Sequence, residues 1–509
     1  MRAGEVFYMV TSEQTMMRLA NGSDVRGVAI EGVAGEPVTL SEEAANRIAT
    51  GFVEFLAEQT GKKKSALRIA VGRDSRVSGH AIKKAVLRAL TAAGALAVDC
   101  HMASTPAMFM SIVLPETKMD GSIMVTASHL PYNRNGLKFF TKDGGTEQRD
   151  IQTILRAAVR APEQEGDLSK VQKLDFIDRY CHFLRKKIRQ ALDMGDTPLK
   201  GMHIVVDAGN GAGGFFATQV LGRLGADTSG SIFLEPDGMF PNHIPNPENK
   251  QAMAAIREAV LQSKADLGLI FDTDVDRMSA VLANGKEISR NALIAMMAAI
   301  LAPDYPGSTI VTDSVTSDEL TEFLQGKLHL RHLRFKRGYK NVIDECIRLN
   351  RSGTVSPLAI ETSGHGALSE NYYLDDGAYL AVKLLIAATK AKKAGRSLAS
   401  LVQGLGEPAE AREYRMEIAE EDFRSYGENV LETLRTRAEA AGIREAKPSY
   451  EGVRLVFPNG WALLRLSLHD PQMPLNIESR KKGGVKEIAD KMQELLQGFD
   501  RLDFSVFDK

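Results

Sequence analysis

One stretch of this sequence decides its fold class, and it reads ALRIAVGRDSRVSGHAIKKAVLRALTAAGALAVD over residues 66–99. We predict an apolar strand over Ala66–Val71, followed by a polar turn and then by apolar residues with helical spacing over His80–Ala93. A second short strand is predicted over Ala95–Asp99. Strand, helix and strand in this order form a βαβ unit, which indicates an α/β fold built on parallel strands.

Two further stretches repeat this alternation. One starts at Met202, with strands predicted over His203–Val206 and Ile232–Leu234 and a helix over Phe215–Leu224 between them. The other runs from Ser308 to Ala359. Since each unit needs its own sheet, the three units predict three sheet domains.

The last part of the chain has a different pattern. After about Glu407 a helix is followed by two or three strands and a final helix near Val485–Leu496. The length of 509 residues also allows three or four domains at about 150 residues each. We therefore predict three mixed-sheet α/β domains of similar topology and a smaller α+β C-terminal domain, with domains over residues 1–160, 161–300, 301–405 and 406–509.

Composition excludes several classes of protein. The 64 Lys and Arg residues balance the 65 Asp and Glu residues, so neither nucleic acid nor an anionic membrane is an expected partner. Cys100, Cys181 and Cys346 lack a C-x-x-C spacing, which argues against a disulfide framework or a cysteine zinc site. No basic and apolar leader precedes Asn21 and no stretch approaches 18 uninterrupted apolar residues, so we expect a cytoplasmic protein. The oligomeric state is left open.

A turn that presents a hydroxyl group follows the apolar strand Ser122–Val125. It reads Thr126-Ala127-Ser128-His129-Leu130-Pro131. A serine hydrolase is disfavoured, because no G-x-S-x-G elbow is present and an adjacent histidine rarely has the geometry of a general base. Taken alone, Ser128 is either a functional serine or an ordinary turn residue.

Three carboxylates at alternate positions follow the apolar strand Leu267–Phe271. They are Asp272, Asp274 and Asp276; on an extended stretch their side chains share one face, and a slight curl lets them converge on one cation. Hard oxygen ligands suit Mg²⁺, whereas a solvated acidic turn is disfavoured beside a buried strand. An EF-hand is excluded, because Arg277 and Ala283 replace the glycine and glutamate that its loop requires.

A glycine-rich segment supports a rival function. Residues 205–214 read VVDAGNGAGG, which contains G-x-G-x-x-G between a predicted strand and helix, with Glu235 about twenty residues further on. This pattern is typical of dinucleotide-binding enzymes, but glycines also permit tight turns and close packing. A dinucleotide enzyme would leave the serine turn and the three carboxylates without a role.

Two further segments offer ligand-binding groups. Glu361-Thr362-Ser363-Gly364-His365-Gly366 follows the predicted strand Leu358–Ile360, and Asp375-Asp376-Gly377 comes soon after. Glu361 and Ser363 are candidates to bind sugar hydroxyls, and His365 is placed to titrate near neutrality. The segment from Arg465 through Ser467 and His469 to Pro471 offers groups suited to a phosphate, or else forms an ordinary strand-end loop.

In this order, these segments resemble the α-D-phosphohexomutase superfamily, and especially its phosphomannomutase/phosphoglucomutase branch, over nearly the whole chain. Thr126–Pro131 is similar to the family's T-A-S-H-N-P loop, with Leu130 in place of asparagine. Asp272–Arg277 resembles its D-x-D-G-D-R loop, with Val275 in place of glycine. Residues 360–365 resemble G-E-x-S-G-H, and residues 465–471 resemble R-x-S-G-T-E-P with Leu468 and His469 replacing glycine and threonine. Weaker matches lie at residues 24–27 (DVRG), 72–79 (a G-x-D-x-R-x-S loop) and 236–243.

The resemblance implies an isomerase that interconverts hexose 1-phosphate and hexose 6-phosphate, of mannose and/or glucose. Phospho-Ser128 would carry the phosphoryl group through a hexose 1,6-bisphosphate, which also serves as the activator. One Mg²⁺ per active site is implied, held by Ser128, Asp272, Asp274 and Asp276. The implied catalytic residues are Ser128, Arg26, Lys138, His365 and Arg277, and the implied substrate-binding residues are Glu361, Ser363, Arg465, Ser467 and His469. The four predicted domains would then carry, in order, the phosphoserine, the metal, the sugar-recognition loop and the phosphate-binding loop.

Three alternatives remain at this stage. The first is a phosphoglucosamine mutase, because related hexoses differ by a single substituent. The second is a sugar-phosphate-binding protein that keeps the fold without turnover, and the third is the dinucleotide-dependent oxidoreductase.

Overall fold

The computed structural model describes residues 12–467 and 470–507, and these residues form two compact units. The first unit comprises the described residues up to Ser289 together with Ser363–Ala367 and Leu374–Ser400. The second comprises Arg290–Thr362, Leu368–Tyr373 and the described residues from Leu401 onward. Four sheets are present, so the predicted fold class is confirmed. The predicted domain boundaries stay predictions.

The first sheet of the first unit is mixed. Its strands are β1 (Ala20–Asn21), β2 (Asp24–Val28), β3 (Arg68–Arg73), β4 (Leu96–Met102), β5 (Gly121–Val125), β6 (Arg134–Thr141), β7 (Gly144–Gly145) and β8 (Gln172–Lys173). The order is β1-β2-β6-β5-β3-β4-β8, with β7 paired to β6. β3 is parallel to β4, as the βαβ pattern predicts, and it is also parallel to β5. β6 is antiparallel to β2 and β5.

Six helices accompany this sheet in the described chain, and several of them begin at a side-chain cap. They are α1 (Glu13–Arg18), α2 (Glu42–Thr60), α3 (Gly79–Ala92), α4 (Thr105–Val113), α5 (Gln148–Arg160) and α6 (Phe176–Leu192). Ser41 caps α2 by accepting from the Ala44 backbone N–H, and Gly61 ends it in the left-handed conformation. Ser104 caps α4 by accepting from Ala107 N–H. This cap fixes the start of α4, which lies against the aspartate turn described below.

The second sheet of the first unit carries the predicted metal segment. Its strands are β9 (Ile204–Asp207), β10 (Leu267–Phe271), β11 (Met278–Leu282) and β12 (Glu287–Ile288), in the order β12-β11-β10-β9. β10 is a central strand, parallel to β9 and antiparallel to β11, and all five of its residues are buried. The helices α7 (Lys250–Ser263) and α11 (Gly377–Lys393) pack on this sheet.

One local prediction in this region is wrong, and a second is correct in being helical but not in the type of helix. Ile232–Leu234 is not a strand, because Ile232 makes only a single bridge to Asp207 and Phe233 has φ +52°. The predicted helix over Phe215–Leu224 is instead a π-helix over Phe216–Leu221 and a 3₁₀ turn over Gly222–Leu224.

Two further sheets follow in the described part of the chain. β13 (Thr309–Thr312) is parallel to both β14 (Arg331–Arg334) and β15 (Leu358–Ile360), and these strands alternate with α8 (Arg290–Leu301), α9 (Asp318–Glu322) and α10 (Tyr339–Arg351). Short strands β16 (Gly366–Leu368) and β17 (Leu374–Asp375) follow β15 in the chain. The last sheet is antiparallel with order β18-β22-β21-β20-β19. Its elements are β18 (Glu410–Glu417), α12 (Phe423–Ala440), β19 (Arg444–Glu445), β20 (Val453–Phe457), β21 (Gly460–Leu464), β22 (Gln472–Ser479) and α13 (Gly484–Leu495).

Within the ranges that the structure describes, no helix is both long enough and apolar enough to cross a membrane.

Candidate active site

Ser128 lies in the tight turn between β5 and β6. Its side chain is buried, and its backbone has φ +51°, a left-handed conformation that a serine rarely adopts. The Ser128 backbone N–H donates to Thr126 Oγ1 at 2.9 Å. Ser128 Oγ donates to Asp272 Oδ2 at 3.0 Å and accepts from Arg277 Nη2 at 2.8 Å. The predicted nucleophile therefore contacts the predicted metal segment directly.

Asp272, Asp274 and Asp276 converge, as predicted, but through a full turn instead of the slight curl of an extended stretch that the sequence suggests. The segment forms a turn after β10, in which Val275 has φ +68°. A β-branched residue rarely adopts this conformation, and a glycine would adopt it without strain. One carboxylate oxygen of each aspartate lies within 4.8 Å of the others, and all three side chains are buried.

These three carboxylates fit a divalent cation. Asp274 Oδ1 and Asp276 Oδ1 are buried and accept no hydrogen bond in the described structure. Burial together with Asp276 and Asp274 raises the pKa of Asp272 well above its usual range, because three buried negative charges repel one another. Carboxylate oxygens are the ligands that Mg²⁺ prefers in proteins, and two of these oxygens accept no hydrogen bond from the described residues that would compete with a cation.

Lys138 and Arg277 are the cations closest to the carboxylates. Lys138 Nζ lies 2.9 Å from Asp274 Oδ2 and 2.6 Å from Asp276 Oδ2. Arg277 Nε lies 3.3 Å from Asp272 Oδ2. Burial opposes ionisation of Asp276, but Lys138, His365 and Arg277 outweigh it and hold the Asp276 pKa below its usual range.

Arg26 reaches the serine turn from β2. The pairing of β2 with β6 places Arg26 opposite Gly136 and Asp24 opposite Lys138. Arg26 Nη1 donates to the Ala127 carbonyl at 3.5 Å, and Nη2 lies 3.0 Å from Asp24 Oδ2. Because Ala127 directly precedes Ser128, this guanidinium lies beside the nucleophile.

His365 joins the same group through the backbone of Arg277. The two residues form an antiparallel bridge, and Met278 N–H donates to the Gly364 carbonyl at 3.3 Å. Gly364 has φ +93°, and a Cβ there would lie 2.6 Å from the Met278 carbonyl oxygen, so this position requires glycine. His365 Nδ1 lies 2.6 Å from Asp375 Oδ2 and 3.8 Å from Asp276 Oδ1.

Sequence reasoning missed several residues of this site. Asp375 stands out only as part of an Asp-Asp-Gly segment, yet it orients the His365 ring. Thr105, at the start of α4, donates from its hydroxyl to Asp274 Oδ2 and from its backbone N–H to the Asp274 carbonyl at 2.8 Å. His129 Nδ1 contacts Arg277 Nη2 and lies 3.3 Å from Ser128 Oγ. Burial and the Arg277 charge lower the pKa of His129 to about 2, so the ring is neutral and able to accept from Arg277.

The glycine-rich segment packs against the aspartate turn. Ala212 N–H donates to the Thr273 carbonyl at 2.8 Å. A Cβ on Gly211 would lie 2.6 Å from the Thr273 carbonyl oxygen, and one on Gly214 would lie 2.4 Å from the Leu234 carbonyl oxygen. Close approach of two backbones accounts for these glycines, which removes the main support for a dinucleotide site.

The remaining predicted residues divide between the two units. Ser363 is buried and belongs to the first unit, whereas Glu361, Arg465 and Ser467 belong to the second. Glu361 Oε1 accepts from the Gly338 backbone N–H at 2.6 Å. His469 lies outside the described residues.

Arg465 is buried at the end of β21, and its Nε has no hydrogen-bond partner in the described part of the chain. Burial, aided by the Arg337 and Arg415 charges, lowers the Arg465 pKa against the opposing effect of Glu451 and Glu413. Arg337 is a second cation near Arg465 that sequence reasoning missed, although the basic run around Gly338 was visible. Ser467 Oγ accepts from Asp470 N–H at 3.3 Å.

Comparison with known proteins identifies the family of the chain. Family models described as phosphoglucomutase/phosphomannomutase α/β/α domains I, II and III match residues 17–165, 178–285 and 289–407. A phosphomannomutase/phosphoglucomutase of Pseudomonas putida is 30% identical over 83% of this chain and 86% of its own length. A phosphoglucosamine mutase of Chromohalobacter salexigens is 29% identical over 92% of this chain and 97% of its own.

A solved structure described as a phosphoglucomutase/phosphomannomutase family protein from Burkholderia thailandensis superposes with a TM-score of 0.78. It is 26% identical and covers 96% of this chain and 98% of its own. The matches span three successive family domains and nearly the full length of the relatives. The chain therefore belongs to the phosphoglucomutase/phosphomannomutase family of the α-D-phosphohexomutase superfamily, and it is an isomerase of that type.

Proposed function

We propose that this enzyme interconverts hexose 1-phosphates and hexose 6-phosphates of mannose and/or glucose, with Ser128 as the phosphoryl carrier. One observation carries the proposal: Ser128 Oγ lies 3.0 Å from Asp272 Oδ2 and 2.8 Å from Arg277 Nη2, beside three converging carboxylates. A hydroxyl held between a metal-binding carboxylate and a guanidinium suits phosphoryl transfer, which depends mainly on positioning and charge stabilisation.

The first half-reaction transfers phosphate from phospho-Ser128 to the free hydroxyl of a hexose phosphate. The hydroxyl oxygen bonds to phosphorus, the bond from phosphorus to Ser128 Oγ breaks, and the Ser128 oxygen takes up a proton. His365 and Lys138, the latter with Arg26, are the groups proposed to move the proton of the sugar hydroxyl. In the second half-reaction the bisphosphate returns its other phosphate to Ser128, and added hexose 1,6-bisphosphate would serve as activator.

Both negatively and positively charged side chains lie near Ser128. Asp272, Asp274 and Asp276, with Ser128 Oγ, would hold one Mg²⁺, which when bound neutralises charge on the transferred phosphoryl group. Arg277 already contacts Ser128 Oγ and is proposed to bind the same phosphoryl oxygens. Its pKa is raised, because the attraction of Asp272 and Asp276 exceeds the cost of burial, so it stays charged at every working pH.

The remaining predicted residues are proposed to bind the rest of the substrate. Glu361 and Ser363 would accept and donate to sugar hydroxyls, and Arg465 with Ser467 and His469 would bind the phosphate that does not react. The unpartnered Nε of Arg465 supports this role, because a buried guanidinium nitrogen needs an acceptor. Exclusion of water around the bound sugar would protect phospho-Ser128 from hydrolysis.

A second substrate is supported by the relative from Chromohalobacter salexigens, which suggests glucosamine phosphate. The test is a coupled assay with purified enzyme, Mg²⁺ and the 1-phosphates of mannose, glucose and glucosamine, each started with its own 1,6-bisphosphate. We expect turnover that is highest with mannose or glucose 1-phosphate. Preference for glucosamine 1-phosphate would replace the proposed substrate, and absence of turnover with all three would contradict the proposed function.

A further inference from the structure

The loop that follows β3 contains a buried arginine whose role the proposed mechanism does not include. Arg76 belongs to the G-x-D-x-R-x-S segment at residues 72–78, and its side chain is fully buried. Its guanidinium donates to four backbone carbonyls, three in the serine turn and one at Arg134, the first residue of β6. Nη1 donates to Pro131 at 2.7 Å and Arg134 at 2.9 Å, whereas Nη2 donates to Leu130 at 2.6 Å and also to Ser128.

Asp74 in the same loop reaches the other side of Ser128. Asp74 Oδ1 accepts from the Arg76 backbone N–H at 2.9 Å, and Oδ2 accepts from Thr126 Oγ1 at 2.7 Å. Thr126 Oγ1 in turn accepts from the Ser128 backbone N–H at 2.9 Å. Asp74 Oδ2 also lies 3.3 Å from Arg76 Nε and balances the buried charge. The loop therefore fixes both the N–H and the carbonyl of Ser128.

Such fixation is needed because of the Ser128 backbone conformation. A φ of +51° is sparsely populated for serine and persists only where the surroundings hold it. The guanidinium supplies such fixation through four carbonyls, those of Ser128, Leu130 and Pro131 in the turn and that of Arg134 at the first residue of β6. The ring of Phe240 lies 5.2 Å from the guanidinium carbon and covers it.

We propose that Arg76 is a positioning residue that holds the Ser128 turn in the geometry that brings Ser128 Oγ to Asp272 and Arg277. The planar guanidinium can serve four carbonyls at once because its donors form a rigid fork. A lysine at this position keeps the positive charge, but it has three donors on a single nitrogen and cannot reproduce the fork. This role rests on the proposed function, because it concerns the placement of Ser128 as phosphoryl carrier.

The test compares Arg76→Lys with Arg68→Lys, an exposed arginine of β3 that contacts no part of the site. We expect Arg76→Lys to lower kcat by about 100-fold, the usual effect of misplacing a reacting group by about 1 Å, with little change in KM. Hydrogen–deuterium exchange of peptides covering residues 126–136 should speed up in Arg76→Lys and stay unchanged in Arg68→Lys. Wild-type kcat in Arg76→Lys, or a lower kcat with unchanged exchange in this turn, would overturn the role.

A second pair keeps the proposal testable if Arg76→Lys does not fold. Thr126→Val keeps the side-chain shape but loses the link between Asp74 and Ser128 N–H, whereas Thr126→Ser keeps the hydroxyl. We expect Thr126→Val to lower kcat and loosen the turn, and Thr126→Ser to restore both. Equal kcat in the two variants would refute the arrangement. Hydrogen–deuterium exchange is measured without substrate, so it does not depend on the proposed function. Inactivity of the wild-type enzyme would therefore contradict only the proposed function. Unchanged exchange in Thr126→Val would contradict only the inference about the turn.

Discussion

Substitution of Gly211 by alanine tests whether the glycine-rich segment serves to position the aspartate turn. A Cβ at this position would lie 2.6 Å from the Thr273 carbonyl oxygen and 2.7 Å from Thr273 Cα. Non-bonded carbon atoms normally approach to about 3.5–4.0 Å, so Thr273 must move by about 1 Å. Thr273 lies between Asp272 and Asp274, so the same movement displaces the proposed metal ligands.

The magnitude follows from that displacement. A misplacement of about 1 Å in a catalytic site costs about 100-fold in rate, and overpacking of a buried contact costs about 1–3 kcal/mol of stability. We therefore expect kcat to fall by about 100-fold, and the Mg²⁺ concentration for half-maximal activity to rise. The measurement is the coupled assay at saturating hexose 1-phosphate over a Mg²⁺ titration.

Gly213→Ala is the matched control in the same segment. There the closest atoms to a new Cβ are Phe271 Cβ and Cδ2 at 3.4 Å, an ordinary packing distance. This variant should keep wild-type kinetics and Mg²⁺ dependence. If Gly211→Ala behaves like wild type, or if both variants are equally impaired, the aspartate turn is not positioned by Gly211 and the reasoning fails.

Three further predictions concern single side chains. Asp274→Asn should raise the Mg²⁺ requirement strongly, because it removes an anionic ligand, and unchanged activity in the presence of a chelator would refute the metal site. His365→Ala should lower kcat by about 10²–10⁴-fold, the usual contribution of a general acid or base, whereas an effect on KM alone would limit His365 to binding. Arg465→Ala should raise KM for hexose phosphate and increase hydrolysis of phospho-Ser128, and no change in either quantity would exclude it from the phosphate site.

The local order of strands and helices was predictable where the apolar residues had a clear strand or helix spacing. β10 and β15 have the predicted limits, because each is a short apolar run whose residues are all buried. Ile232–Leu234 was mistaken for a strand because a short apolar run does not show whether the segment pairs with a neighbouring strand.

The candidate site was predictable in its motifs but not in its supporting contacts. Ser128 and Asp272 are 144 positions apart in the chain, and only their separate surroundings suggested chemistry. Thr105 gave no sequence signal, and Asp375 and Arg76 belonged to recognised segments without a role of their own, because each acts through a contact that the fold creates. The convergence of the three aspartates was predicted correctly, but its origin in a turn with a left-handed Val275 was not.

The phosphate-binding residues of the second unit, the hexose preference, the activator and the cytoplasmic location stay predictions. The proximity of Arg337 to Arg465 could not be predicted from the sequence, because the two residues are more than a hundred positions apart.

The central claim is that Ser128 carries the phosphoryl group, and intact-mass spectrometry tests it most directly. Wild-type enzyme is incubated with glucose 1,6-bisphosphate and Mg²⁺, freed of ligand and weighed, and Ser128→Ala is treated in parallel. We predict one added phosphate on wild-type enzyme, located at Ser128 by peptide sequencing and lost on addition of hexose 6-phosphate, and none on Ser128→Ala. Turnover by Ser128→Ala near the wild-type rate, or phosphate on another residue that exchanges with substrate, would contradict the claim.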